Sequence, residues 1–95
     1  MATALTALFA SVREGNRSEV SRILGNTENT RLVNNPGDYN ETLLHFAAEG
    51  GDKEICNLLL VAGARCDIVN AQKHTPLHRA AFKGNHEALA AMLSE

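Results

Sequence analysis

Apolar positions along the first quarter of the chain fall at steps of three and four. Leu5, Leu8, Phe9 and Val12 make one helical stripe, and Val20, Ile23 and Leu24 make a second. That spacing is the 3.6-residue period of an amphipathic helix. Between the stripes stand Gly15 and Asn16, a helix stop followed by a helix start, and Thr3 is placed to cap the first stripe. Glu19, three residues after Asn16, completes a capping-box-like pair. A helix-turn-helix is predicted. The next stripes are closer to continuous: Leu43-Leu44 with Phe46-Ala47-Ala48, then Ile55, Cys56 and Leu58 to Leu60. Gly63, just past the last stripe, suits a left-handed C-terminal residue.

The third pair of stripes repeats the second. Thr75-Pro76-Leu77-His78-Arg79-Ala80-Ala81 matches Thr42-Leu43-Leu44-His45-Phe46-Ala47-Ala48 position by position at an offset of 33 residues. The register carries on, with Gly84 on Gly51, Asn85 on Asp52, Met92 on Leu59 and Leu93 on Leu60. Gly15 and Asn16 fit the same scheme at an offset of 36, so three extra residues lie between Leu24 and Val33 in a lengthened polar loop. Asn16, Asp52 and Asn85 are expected to cap the second helix of each unit. Thr42 and Thr75 are placed to cap the first helices, and Pro76 stands where its missing N–H costs nothing. Residues 34–40 and 67–74 are rich in turn formers and are expected to protrude as hairpins.

A period of 33 residues with Thr-Pro-Leu-His-x-Ala, seen in full from Thr75 to Ala80, resembles the ankyrin repeat, a β-turn followed by two helices. The middle copy departs from the pattern in carrying Leu43 where the family has Pro. The resemblance implies an all-α solenoid of stacked helix-turn-helix repeats with short β-hairpin loops. Residues 1–33 form a partial first repeat, 34–69 the middle repeat, and 70–95 a last repeat that stops without its Gly-Ala exit. It also implies that His45 and His78 bond the capping threonine and a neighbouring hairpin, a structural role. Thr42, His45, Gly51, Thr75, Pro76, His78 and Gly84 are then the repeat's structural motif.

In the family, partners dock on the concave face made by hairpin tips and the exposed side of each first helix. Carried over by position, this nominates Tyr39 and Glu41, with Asp38, on one hairpin, and Gln72 and His74, with Ala71, on the next. Phe46, Glu49, Arg79, Phe82 and Lys83 are nominated on the helices, with Gly50. Aromatic and Arg side chains dominate interface energies. A cluster of Tyr39, Phe46 and Phe82 would mark a partner surface.

Composition narrows the function further. With 95 residues, 44% of them apolar and a formal charge of −2, the chain is expected to be one folded domain with no electrostatic reason to bind nucleic acid. No stretch approaches the roughly 18 apolar residues needed to span a bilayer, and no basic leader precedes the first stripe. Two cysteines do not make a disulfide framework; Cys56 and Cys66 read as small core residues of a cytoplasmic or nuclear protein. His74 and His78 have i, i+4 spacing, but Pro76 lies between and the Glu of a zinc-hydrolase motif is missing, so neither metal nor cofactor is expected. No nucleophile, base and oxyanion site come together, so the chain is read as a non-enzyme. The expected function is a protein-protein interaction module of adaptor, scaffold or inhibitor type. The alternative is a structural set of N-terminal repeats from a longer ankyrin protein, with no partner of its own. The last helix keeps Leu and Met on a face that an end repeat would make polar. This suggests a continuing array or dimerisation through that face.

Overall fold

The computed structural model describes residues 3–94; Met1, Ala2 and Glu95, the outermost positions of the first and last repeats, lie outside the described residues. Its helices are α1 (Ala4–Glu14), α2 (Arg17–Leu24), α3 (Thr27–Thr30), α4 (Leu43–Gly50), α5 (Lys53–Val61), α6 (Pro76–Lys83) and α7 (His86–Leu93). They stack as three antiparallel pairs. α4 packs between α1 and α6 in an inner row, and α5 packs between α2 and α7 in an outer row. Leu8, Val20, Leu43, Leu44, Ile55 and Leu59 fill the space between the rows, each almost completely excluded from solvent. Each such side chain contributes on the order of 1.5 to 3 kcal/mol by burial, which is what turns short helices into a stable stack.

The helix ends show why the stripes start and stop where they do. Thr3 accepts the amide of Thr6, Asn16 that of Glu19, and Asp52 those of Glu54 and Ile55. Gly15, Gly51 and Gly84 close α1, α4 and α6 in the left-handed conformation, with φ of 71°, 74° and 71°. Gly51 is required for space as well. An added Cβ would stand 2.9 Å from Cγ of Asn85.

Two expected caps turn out differently. Asn85 makes no side-chain bond to its own helix. Its Nδ2 instead donates to the carbonyls of Ala48 and Glu49, at 2.7 and 2.8 Å. The side chain thus satisfies open carbonyls at the end of the preceding repeat's first helix, and ties α7 to α4. Glu19 does not close a box with Asn16, because Arg22 one turn on holds its carboxylate.

The lengthened loop is also more ordered than its polarity suggests. Asn26 caps the single turn α3, and the side-chain Nδ2 of Asn29 donates to the Ile23 carbonyl at 2.9 Å, folding the inserted residues against the end of α2. The protruding loops are hairpin-like turns, and no strand occurs among the described residues. Each turn is closed at its neck by one backbone bond, Gly37 N–H to the Glu41 carbonyl and Asn70 N–H to the His74 carbonyl, too little for a ladder; in the second, His74 N–H also donates to Asn70 Oδ1 at 3.0 Å. The tips touch, Ala71 N–H donating to the Tyr39 carbonyl at 2.8 Å.

Equivalent positions Asn40 and Lys73 both take left-handed backbone, with φ of 58° and 66°, and Tyr39 does so at 59°. For a residue with a Cβ this costs roughly 1 to 2 kcal/mol, which glycine avoids. Lys73→Gly should therefore stabilise the protein by about 1 kcal/mol. A thermal melt should show this as a midpoint raised by about 4 to 8 °C; an unchanged or lowered midpoint would mean that the turn is not strained there.

Candidate functional site

Two linked depressions line the inner face between the second and third repeats. The larger, of about 390 Å³, is bounded by Glu49 on α4, by Gln72 and His74 on the second turn, and by His78, Arg79, Phe82 and Lys83 on α6. The smaller, of about 230 Å³, lies between the two turn tips, bounded by Tyr39, Glu41, Asn70, Ala71 and Gln72. Gln72 belongs to both. Phe82 and Tyr39 stand at opposite ends with 86% and 80% of their surface exposed, so both aromatic rings project into solvent.

The floor of this surface is electrostatic. Arg79 reaches from α6 to Glu41 at 2.6 Å and also bonds Glu49 on α4; its side chain is only 14% exposed, and that of Glu41 15%. Lys83 stands 3.8 Å from the other oxygen of Glu49. Burial alone would depress the Arg79 pKa, but the bonds and charges of Glu41 and Glu49 outweigh it and raise it further. Arg79 is thus a tie between repeats, with little freedom left to meet a ligand. Breaking such a pair strands a desolvated charge. Arg79→Ala should cost about 2 to 4 kcal/mol in a denaturant melt, whereas loss within about 0.5 kcal/mol, the usual surface value, would reduce the network to decoration.

A second tie lies behind the groove. The Thr42 amide and hydroxyl both donate to His45 Nδ1, at 3.0 and 2.8 Å, and the ring's Nε2–H donates to the His74 carbonyl at 2.8 Å. The imidazole is therefore neutral, with its proton on Nε2. Burial depresses its pKa, opposed by the bond to His74 and the charge of Glu41, and assisted by Arg79 and His74. In the unfolded chain the same ring takes up a proton below about pH 6.5. Its contribution to stability is thus complete above that pH and is lost as pH falls towards the lower folded value. Between pH 7.5 and 5.5, thermal midpoints of the native chain should drop more than those of His45→Gln, which has no ring to protonate. Parallel curves would contradict this.

The nominated residues are only partly brought together. Glu49, Gln72, His74, Arg79, Phe82 and Lys83 share the larger depression, and Tyr39 and Glu41 the smaller. Phe46 stands apart. Its ring meets Phe9 edge-on at 5.8 Å, and Arg13 lies 5.4 Å over it, so it seals the joint between α1 and α4. The three-aromatic cluster that would have marked a partner surface does not form: Tyr39 and Phe82 line separate depressions and Phe46 lines neither. His74 and His78 stack, with ring centroids 5.6 Å apart, although Pro76 lies between them. His78 was read only as structural, yet it also lines the groove. The i, i+4 spacing was the signal. Among the described residues no three His, Cys, Asp or Glu side chains form a metal-binding group. Cys56 is buried, and desolvation pushes its thiol up to about 11. No helix among the described residues is long and apolar enough to cross a membrane.

Stacked helix pairs joined by turns, the second and third opened by a Thr-His box, define a short repeat solenoid. The family described as ankyrin repeats (3 copies) matches residues 7–95, and the chain belongs to that family. It is 31% identical over 86 residues to the Notch-regulated ankyrin repeat-containing protein of Homo sapiens, covering 90% of this chain and 75% of that protein. An ankyrin repeat protein of Fowlpox virus (strain NVSL) is 35% identical over 81 residues; the match takes in 84% of this chain and only 18% of the viral protein. The Dauer abnormal formation protein 25 of Caenorhabditis elegans is 45% identical over 49 residues, 52% of this chain and 13% of that protein.

Proposed function

We propose that the groove between the second and third repeats is the partner-binding face of a non-catalytic interaction module of adaptor, scaffold or inhibitor type. Ankyrin repeats are in general protein-protein interaction modules, and the groove is where this chain combines exposed anchors with a fixed base. The single observation that carries the reading is the pairing of Phe82 and Tyr39, two almost fully exposed aromatic rings, around the Glu41-Arg79-Glu49 network. Rings held out from a rigid scaffold lose little entropy on docking, so most of their burial appears as affinity. Recognition proceeds by rigid display: the ties hold the base, and Phe82, Tyr39, Gln72, His74 and Lys83 meet the partner. A cytoplasmic or nuclear setting rests on cysteine usage alone.

Exposure by itself is not specific, since Val61 on the outer row is 89% exposed. Val61 is therefore the control. A photo-crosslinking residue placed at Phe82 in cells should capture a discrete protein that the same residue at Val61 does not. Phe82→Ser with Tyr39→Ser should abolish co-purification of that protein while leaving the melting midpoint unchanged. Equal capture from both positions, or retention by the double variant, would remove the groove from the account.

A further inference from the structure

Two residues that bound the smaller depression each keep a polar atom unused. Oε1 of Glu41 and Nδ2 of Asn70 are closed off from solvent and bond nothing among the described residues. Both side chains belong to the space of about 230 Å³ between the turn tips, which Tyr39, Ala71 and Gln72 also bound. A buried donor or acceptor without a partner is costly, and folded proteins keep few of them. Here one of each kind occurs at one depression.

Neither side chain is loose. Oε2 of Glu41 accepts Nη2 of Arg79 at 2.6 Å, and Oδ1 of Asn70 accepts the amides of Gln72 and His74 at 2.9 and 3.0 Å. The charge of Glu41 is thus spent on Arg79 and the carbonyl of Asn70 on its own turn, which fixes the orientation of each group. The turn itself does not call for the remaining amino half of Asn70. At the equivalent position 33 residues back stands Gly37, and that turn closes on Glu41 with no side chain. Asn70 is nevertheless only 4% exposed. Access between the tips falls to Tyr39 and Gln72, exposed side chains that make no hydrogen bond among the described residues and are free to turn aside.

The two unused atoms select the group that completes them. Asn70 Nδ2 donates and Glu41 Oε1 accepts, so the ligand has to accept and donate together. A carboxylate only accepts and is repelled by Glu41; an ammonium only donates and leaves Asn70 facing a cation. A hydroxyl has to serve both atoms from one oxygen. A primary carboxamide carries a carbonyl oxygen and an N–H side by side without charge.

We propose that the depression between the turn tips is a carboxamide subsite, taking the side chain of an Asn or Gln on the partner, with its carbonyl on Asn70 Nδ2 and its N–H on Glu41 Oε1. The inference rests on the groove being the partner-binding face, since Gln72 bounds both depressions and so sets the subsite at the groove's end. Phe82 and Tyr39 supply contact area, and the subsite supplies selection, because a partner without the carboxamide leaves both atoms unpaired.

The probe is propionamide, titrated into the isotope-labelled chain and followed by NMR. The side-chain amide of Asn70 and the backbone amides of Ala71 and Gln72 should shift saturably, while propionate, propylammonium and propanol at the same concentrations leave them in place. Asn70→Asp keeps the oxygen that the turn uses and exchanges the donor for a second acceptor, so it should weaken propionamide binding by at least about tenfold. Asn70→Gly, which puts the residue of the earlier turn there, replaces it if Asn70→Asp does not melt cooperatively. Shifts that do not saturate, equal binding of propanol or propionate, or undiminished binding by the variant would overturn the proposal and leave a buried water as what satisfies the two atoms. Discrete photo-crosslinking at Phe82 by a chain that ignores propionamide would keep the groove and remove the subsite alone. Failure of the groove would show instead as propionamide binding without that capture.

Discussion

One neutral imidazole holds the middle of this molecule. His45 takes both donors of Thr42 on one nitrogen and gives its only proton to the His74 carbonyl with the other. A ring in that state costs little to bury because all of its polar capacity is used. Protonated, it would lose the acceptor that Thr42 needs and would carry a charge where water is excluded. The bond also sets distances. It fixes the start of α4 against the neck of the next turn, which positions Gln72 and His74 over α6 and so defines one wall of the groove. Asn85, bonding the end of α4, and Arg79, bonding Glu41 and Glu49, fix the other walls.

The parts of this arrangement that sequence could reveal are those set by local backbone chemistry. Thr42 and Thr75 as caps, Gly15, Gly51 and Gly84 as left-handed stops, and the alternation of helix pairs follow from residues that act within one turn of themselves. What sequence could not reveal depends on side chains choosing between a local and a distant partner. Asn85 is as good a helix cap as Asp52, but a neighbouring repeat offers it two open carbonyls, and it takes those. Phe46 and Arg79 share a repeat position and were equal as candidate anchors. Phe9 and Arg13 from α1 draw Phe46 into a joint, while Glu41 and Glu49 draw Arg79 into a clamp. Of the aromatic and Arg candidates, Phe82 and Tyr39 remain exposed. The same distinction hid α3, whose order depends on the Asn29 bond back to Ile23 rather than on helix propensity.

The functional reading follows from this division of labour. Interaction surfaces gain affinity when their contact groups are already held in place. Here Arg79, Glu41 and Glu49 on the inner face are spent on holding, which leaves the aromatic and uncharged polar groups, with Lys83, to contact a partner.

The account depends most on the state of His45, and nitrogen-detected NMR of the imidazole reads that state directly. The account requires an Nε2–H tautomer at neutral pH, with Nδ1 showing the shift of a hydrogen-bonded acceptor, and a ring that stays neutral at pH values where an ordinary histidine has protonated. A ring that titrates near the ordinary value of about 6.5, or that carries its proton on Nδ1, would show that the repeats are not registered through this bond. The groove's wall would then need another support.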